Sequence, residues 1–309
     1  MALKMQGQLG RYGTGICGVV CIDMGIRALL LFNPLAGRAD AGGQALALSA
    51  RLSEAGFQCR LTEIGAGMDL SPARLADRDL LIVYGGDGTL HHLLPVALRT
   101  GLPVGLIPGG TANVLAREIG IPSRLPEAIE ILRRGRVRQM YLAQTPARRF
   151  LLMAGMGADA YLLQRVPAGL KSFLGISAFW ITGMARFWGY PLKDFRVRTE
   201  SEQFTATLAI VSNGRYYGRH LLLAPRASVF EPVLDLCAFT SRHHLRFLGY
   251  LWRTLRGRHI DLPDVIYRKA STIWAEGPPE TLVQMDGEPA GSLPQRFQLA
   301  PERLSIVCP

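Results

Sequence analysis

The chain has 309 residues, about twice a common domain length, with 49% hydrophobic and 19% charged residues, which excludes a disordered or collagen-like polymer. Lysine and arginine number 35 against 24 acidic residues, a net charge of +11, and only four of the 35 are lysine. Such a surface favours anions: nucleic acid, nucleotide phosphates or acidic membrane headgroups.

Residues 1–26 have a short apolar centre, Ile16–Ile22, closed by Asp23 and Arg27 with no small-residue cleavage pattern after it. A signal peptide is not expected, and the segment reads as a poorly ordered leader. From Arg27 the pattern becomes regular. Ala28–Phe32 is an apolar run stopped by Asn33-Pro34, a buried strand entering a loop. Gln44–Ala55 reads as a helix ended by Gly56, and Phe57–Ile64 alternates as a strand. Leu80–Tyr84 is a second buried strand running into Gly85-Gly86-Asp87-Gly88-Thr89, followed by a helix over His92–Thr100. Val104–Ile107 is a third strand, entering Pro108-Gly109-Gly110-Thr111 and then a helix over Ala112–Ile119. Strands and helices alternating through short glycine turns predict a parallel sheet covered by helices, an α/β domain over 27–140. Ligands of such sheets sit beyond the carboxyl ends of the strands, where both glycine turns lie.

After the arginine-rich stretch Leu132–Arg138 the texture changes. Arg149–Ala154, Arg196–Glu200, Thr205–Ser212, Val233–Phe239, Ser271–Ala275, Thr281–Met285 and Arg303–Cys308 are short strand-like runs. They predict a β-rich, mostly antiparallel domain over 141–309, whose last strand can return to the first domain, with the hinge near Gly135–Gln144. The longest apolar run, Phe173–Ala185, rises about 20 Å as a helix, short of a hydrocarbon slab of about 30 Å. Phe173–Tyr190, with Trp180, Phe187 and Trp188, reads as core, as the lining of an apolar pocket, or as a second surface for docking on a membrane. Ser241–Gly257 places Arg242, Arg246, Arg253 and Arg256 on one side of a helix and Leu245, Leu248, Leu251, Trp252 and Leu255 on another. That pattern suits an anionic interface, and equally a helix that packs its apolar side on the sandwich. Five scattered cysteines without a CxxC pair argue for a reducing cytosol.

Glycines permit close backbone approach, so amides of a strand–glycine–helix turn can point at phosphate oxygens beside a helix N-terminus. The alternative for Gly-Gly-Asp-Gly alone is a tight turn with an aspartate cap, and two such turns on adjacent strands favour the phosphate reading. Asp87 would act through Mg²⁺ or by holding a ribose or an arginine. Gly13–Gly18 spells GxGxxG without a preceding strand, and Gly155-Met-Gly157-Ala-Asp-Ala160 lacks the acidic residue a dinucleotide fold needs about twenty positions on. No Gly-Lys pair occurs, so a P-loop is excluded.

Asn33-Pro-Leu-Ala-Gly37, Gly85-Gly-Asp-Gly-Thr89, Pro108-Gly-Gly-Thr-Ala-Asn113 with Ala116-Arg117, and Gly120-Ile-Pro122 together resemble the diacylglycerol kinase catalytic family, which includes sphingosine and ceramide kinases. The resemblance continues through Gly155–Ala160, Asn213-Gly214, Gly218, Ala224-Pro225 and Met285-Asp286-Gly287-Glu288. It implies an α/β nucleotide domain followed by an antiparallel β-sandwich, with ATP and Mg²⁺ as cofactors and a lipid as acceptor. ATP would contact the loop of Asn33, Pro34, Leu35, Ala36 and Gly37, then Thr62, the turn from Gly85 and Gly86 through Asp87, Gly88, Thr89, Leu90, His91 and His92, and finally Gly110, Thr111 and Asn113. Asp286 and Glu288 would approach the acceptor hydroxyl as general base or its support. A structural Mg²⁺ would fall on Ser228, Glu231 and Val233.

The sequence departs from the family where an expected glutamate is His92, and where Phe230-Glu231-Pro232 replaces an Asp-Asp-Gly turn. Proline fixes its own φ and the glutamate is longer, both adverse to that metal site. The expected function is a lipid kinase acting on a diacylglycerol-like or sphingoid acceptor at an anionic membrane surface. It would be cytoplasmic and transiently membrane-associated, with a homodimer left open and no nucleic-acid partner expected. An NAD kinase-like enzyme, or a catalytically weakened nucleotide-binding protein of the same fold, is the alternative.

Overall fold

The computed structural model describes residues 25–34, 41–65, 70, 75–165, 187–218 and 221–309. Residues 1–24 of the expected leader, Leu35, Ala36 and Gly37 of the first loop, and the apolar run Phe173–Ala185 lie outside the described residues. The chain divides into two units, one ending at Met140 and regaining Arg303–Pro309, the other spanning Tyr141–Glu302.

The first unit is built on parallel pairing. β1 (Arg27–Phe32) lies between β2 (Gln58–Glu63) and β3 (Leu80–Gly85), and β4 (Val104–Pro108) pairs with β3, all in parallel. Ile306 of the C-terminal strand pairs in parallel with Val104. Leu29, Leu30 and Leu31 of β1 and Leu80, Leu81, Ile82 and Val83 of β3 are all buried. Continuous apolar strands of this kind are covered on both faces, which is why they show no alternation. The helices are α1 (Ala41–Glu54), α2 (Asp87–Thr100), α3 (Val114–Glu118) and α4 (Leu125–Arg134). α2 begins at Asp87 rather than His92, because the first helical turn is formed by Asp87-Gly88-Thr89 itself, and Pro95 stands exposed in the helix interior. Gly101 closes α2 in the left-handed region, its N–H on the Ala97 carbonyl.

The second unit is an antiparallel sandwich. Its first elements are β5 (Arg136–Gln144), which enters from the first unit, β6 (Arg149–Phe150), β7 (Met153–Gly157) and α5 (Ala158–Arg165). β8 (Phe195–Arg198), β9 (Gln203–Ala206), β10 (Leu208–Ser212), β11 (Tyr216–Tyr217), β12 (Leu221–Leu222) and β13 (Leu234–Phe239) follow. After α6 (His244–Thr254) come β14 (Val265–Ala270), β15 (Thr272–Glu276), β16 (Leu282–Met285), β17 (Glu288–Ser292) and β18 (Gln295–Cys308). One sheet has the order β14-β13-β10-β7-β16-β17, and β15 pairs antiparallel with β8 and with residues 295–298 of β18. Ala209 and Val211 of β10 and Leu234, Leu236 and Ala238 of β13 meet Val197, Ile273 and Phe297 in the sandwich core. Strand periodicity sends Leu208, Ile210 and Phe239 to the opposite face.

The expected strand Thr205–Ser212 is two strands. β9 pairs with β8 and β10 with β7 and β13, and the chain changes sheets at Thr207. The Thr207 hydroxyl and amide both donate to the Phe239 carbonyl, at 3.2 and 2.9 Å, and hold that switch. No helix among the described residues is long and apolar enough to cross a membrane.

Candidate functional site

The two glycine turns of the first unit touch. Gly85 and Pro108 are register partners at the carboxyl ends of β3 and β4, and the Gly109 N–H donates to the Gly85 carbonyl at 3.0 Å. A Cβ on Gly110 would sit 2.6 Å from the Gly86 Cα, and one on Gly86 would sit 3.2 Å from the Gly110 Cα. Only hydrogen fits between these backbones. The turns line a small recess of about 10 Å³ that opens to solvent, bordered by Gly85, Gly86, Asp87, Leu90, Pro108 and Asn113. The first turn of α2 opens there, and helix geometry leaves its leading amides without intrahelical acceptors. That end of the helix carries the positive pole of its dipole, so the recess suits an anion.

Several residues expected to touch nucleotide hold the recess together instead. The Asp87 carboxylate accepts the Val114 and Leu115 amides, each at 2.8 Å, and so ties the first turn to the start of α3. The expectation for Asp87 is a role through Mg²⁺ or in holding a ribose or an arginine; in this structure both its oxygens brace backbone amides. Asn113, at φ 49°, accepts the Gly110 amide on Oδ1 at 2.9 Å and donates Nδ2 to the Gly110 carbonyl at 2.7 Å. Thr89 is 4% exposed, its side chain against the space a Gly85 Cβ would need, and Leu90 is buried. Leu90 nonetheless borders the recess, while Thr89 packs beneath the turn. Gly88, His92 and Thr111 are exposed, Gly86 and His91 half-buried. Thr62 is half-buried on β2 in register with Leu31, and Asn33 and Pro34 follow β1 directly. Leu35, Ala36 and Gly37 lie outside the described residues.

In the second unit, Asp286-Gly287 is a two-residue hairpin turn between β16 and β17, with φ of 50° and 84°. Asp-Gly is the sequence such a turn prefers. The Asp286 carboxylate accepts the amides of Leu151, Leu152 and Met153 at 2.5, 2.9 and 3.1 Å. Asn213 grips the same segment, donating its backbone N–H to the Leu152 carbonyl and Nδ2 to the carbonyls of Leu151 and Tyr141. Those contacts interrupt the expected strand Arg149–Ala154 at Leu151-Leu152. Asp286, expected as general base or its support, has both carboxylate oxygens engaged by backbone amides in this structure and so anchors the segment. Glu288 is exposed and forms an ion pair with Arg148 at 3.0 Å.

The metal positions do not fit a divalent cation. Glu231 is the one carboxylate of the three residues, and it is paired with the Lys269 ammonium at 2.5 Å, which supplies a positive charge where a cation would compete. Two of the three expected ligands are backbone carbonyls, and the Ser228 carbonyl already accepts the Glu231 amide at 3.0 Å within the turn. No cluster of three His, Cys, Asp or Glu that could hold a metal occurs among the described residues. The expected site on Ser228, Glu231 and Val233 thus has its one carboxylate engaged by Lys269 in this structure.

A second, open cavity of about 140 Å³ lies on the outer face of the six-stranded sheet. Leu208, Ile210 and Phe239 of the strands form its floor, Leu162 of α5 and Phe247 and Leu251 of α6 its sides. Asp159 is its one charged lining residue. Its carboxylate receives hydrogen bonds from the Tyr217 hydroxyl and from Gln284 Nε2, the latter at 2.8 Å. Gly155 makes room for it, since a Cβ there would lie 1.7 Å from Asp159 Oδ2. Burial raises the Asp159 carboxyl above the usual carboxylate range, outweighing the two hydrogen bonds, and burial also pushes the Tyr217 hydroxyl well up. The motif Gly155–Ala160 was visible in the sequence, but burial of its aspartate against a tyrosine 58 positions on was not.

A raised folded pKa means that the neutral acid is the favoured buried form. Its stabilising share is complete below the unfolded carboxylate value and is lost as pH rises through the folded one. The Asp159→Asn variant lacks this penalty. Its melting temperature relative to the parent should therefore climb from the ordinary carboxylate pKa upward and level off above the raised one. A pH-independent difference would mean that Asp159 is not buried as a titrating acid.

Residues 27–145 match the family model described as diacylglycerol kinase catalytic domain, and residues 153–308 match that described as YegS C-terminal NAD kinase beta sandwich-like domain. The chain is 28% identical over 294 residues to a protein of Bacillus subtilis named diacylglycerol kinase, covering 92% of this chain and 96% of that one. It is 28% identical over 319 residues to a diacylglycerol kinase of Mycobacterium tuberculosis, covering 98% of each. A crystal structure of a diacylglycerol kinase from Bacillus anthracis superposes with a TM-score of 0.69 at 21% identity over 92% of this chain and 97% of that one, a likeness of fold.

Proposed function

Because the chain belongs to the diacylglycerol kinase catalytic family, with the YegS-type C-terminal sandwich, we propose that it transfers the γ-phosphoryl group of ATP to a hydroxyl of a diacylglycerol-like or sphingoid lipid. Kinase chemistry goes with the family; the lipid acceptor is supported by the open, mostly apolar cavity, whose walls carry one carboxyl, Asp159. An apolar lining suits acyl chains, while Asp159 and the Tyr217 hydroxyl can orient a polar head. A nicotinamide dinucleotide, with several phosphates and sugars, would leave its polar groups unpaired there.

In this reading ATP enters as its magnesium complex and lays its phosphates on the amides around Gly86 and Gly88. The recess between the two turns is held rigid by Asp87 and Asn113, which orients the triphosphate without reorganisation. The acceptor oxygen would form a bond to the γ-phosphorus as its proton passes to Glu288 or to solvent water, the bond from that phosphorus to the β–γ bridging oxygen would break, and ADP would leave. Phosphoryl transfer through a loose transition state demands positioning and charge compensation more than a strong base. Asp159 orients the acceptor head by hydrogen bonding, and Glu288 is the carboxylate of the Asp286–Glu288 segment that a ligand can reach.

The test is incubation of the purified protein with γ-labelled ATP, NAD and a panel of lipids, with ATP binding measured alongside, followed by mass identification of the labelled product. Label in a phosphorylated lipid is expected. Label in NADP alone would establish the NAD kinase-like alternative, and ATP binding without transfer to any acceptor would establish the catalytically weakened one.

A further inference from the structure

The helix α6 carries two apolar faces. Phe247, Tyr250, Leu251 and Thr254 turn inward and line the large cavity. Leu245, Leu248, Trp252 and Leu255, spaced as i, i+3, i+7 and i+10, form a second stripe on the outside, with exposures of 70%, 41%, 61% and 51%. Among the described residues these are four of the six exposed large hydrophobics. Nothing about solubility favours such a stripe, and contiguous exposed apolar surface marks an interaction site.

The charges beside the stripe identify the occupant. Residues 241–258 contain five arginines and no acidic residue. Arg242 and Arg246 are ion-paired with Asp194 and Asp264. Arg253, Arg256 and Arg258 are exposed and have no carboxylate partner among the described residues, and Arg256 lies over the Trp252 ring at 4.7 Å. An apolar stripe flanked by arginine, with a tryptophan at the boundary, matches a surface whose interior is hydrocarbon and whose headgroups are anionic. A second copy of the chain would bring arginine against arginine.

We propose that α6 is an interfacial helix whose outer stripe, Leu245, Leu248, Trp252 and Leu255, inserts into an anionic lipid surface while its inner face walls the acceptor cavity. One helix then serves both, so that an acyl chain leaving the bilayer meets apolar side chains on either side of α6 instead of water. This deepens the proposed lipid-kinase reading and rests on it for the nature of the molecule in the cavity.

The test is flotation of the full chain with phosphatidylcholine vesicles, with and without phosphatidylglycerol. The parent should float with the anionic vesicles and be released by high salt. Leu248→Ser/Trp252→Ser should weaken partition roughly 10- to 100-fold, from the apolar area no longer buried. Arg253→Gln/Arg256→Gln should weaken it roughly tenfold or more and remove most of the salt dependence. None of these residues lines the cavity, so both variants should phosphorylate a short-chain, water-soluble diacylglycerol at the parental rate while losing transfer to vesicle-embedded lipid. Amides of α6 should gain protection from hydrogen exchange only when anionic vesicles are added. The proposal is overturned if both variants float like the parent. It is also overturned if the parent is a dimer that Leu248→Ser/Trp252→Ser converts to monomer, or if α6 is equally protected without vesicles, as when another segment of the chain covers it. Vesicle binding lost in the variants, with no lipid phosphorylated by the parent, would sustain the docking face and refute the kinase reading.

Discussion

Gly110→Ala should lower kcat/KM for ATP by roughly 100-fold, because positioning errors near 1 Å at a reacting group have effects of that order. The added Cβ would stand 2.6 Å from the Gly86 Cα and 3.0 Å from the Gly86 nitrogen, and backbone cannot swing aside as a long side chain can. The turns must part, which also strains the Gly85–Pro108 end of the β3–β4 pairing and should lower stability by about 1–3 kcal/mol. A companion substitution separates the ligand from the fold. A Cβ on Gly88 meets nothing within 4 Å, and alanine in the first turn of α2 has better helix propensity than glycine. Gly88→Ala should thus keep or raise the melting temperature yet weaken ATP binding, since only an incoming phosphate would collide with it. Calorimetric titration of both variants with ATP checks this; parental ATP affinity in Gly110→Ala would place the nucleotide elsewhere.

Asp286→Ala should destabilise the second unit by roughly 3 to 5 kcal/mol, at the upper end for one substitution. It leaves the Leu151, Leu152 and Met153 amides without their acceptor and puts alanine at φ 50°, where only glycine, asparagine and aspartate sit comfortably. Asp286→Asn keeps one acceptor oxygen but turns an NH₂ group toward a backbone N–H, so it should also lower the melting temperature, by less. Chemical denaturation of both variants, beside transfer assays on the folded fraction, distinguishes anchor from base. A normally stable Asp286→Asn protein devoid of transfer would restore the catalytic role.

These two residues show where reading the sequence succeeds and where it stops. The βα units were legible because Leu29–Leu31 and Leu80–Val83 are unbroken apolar runs punctuated by glycine, a local pattern with a local cause. The adjacency of the glycine turns was legible for the same reason, as consecutive parallel strands neighbour one another. The partners of Asp87 lie 27 and 28 positions away and those of Asp286 lie 133 to 135 away, and they are backbone amides, which carry no residue type to recognise. A carboxylate that braces a loop and one that accepts a proton therefore look alike in sequence. The Ser241–Gly257 pattern predicted a helix correctly, but both an apolar face and its neighbour could have been the packed one. Phe247 and Tyr250, packed with Phe239, decide it for the structure, and this leaves the leucine and tryptophan stripe outward.

A photoreactive diacylglycerol, with a diazirine in one acyl chain, tests most directly where the acceptor lies. Crosslinking to the full protein in the presence of ATP, followed by peptide mapping, should place adducts on Leu208–Ile210, Leu221–Leu223 and Phe247–Thr254, competed by unlabelled lipid and accompanied by phosphorylation of the probe. Adducts confined to the parallel-sheet unit, or spread without competition over the surface, would contradict the acceptor cavity.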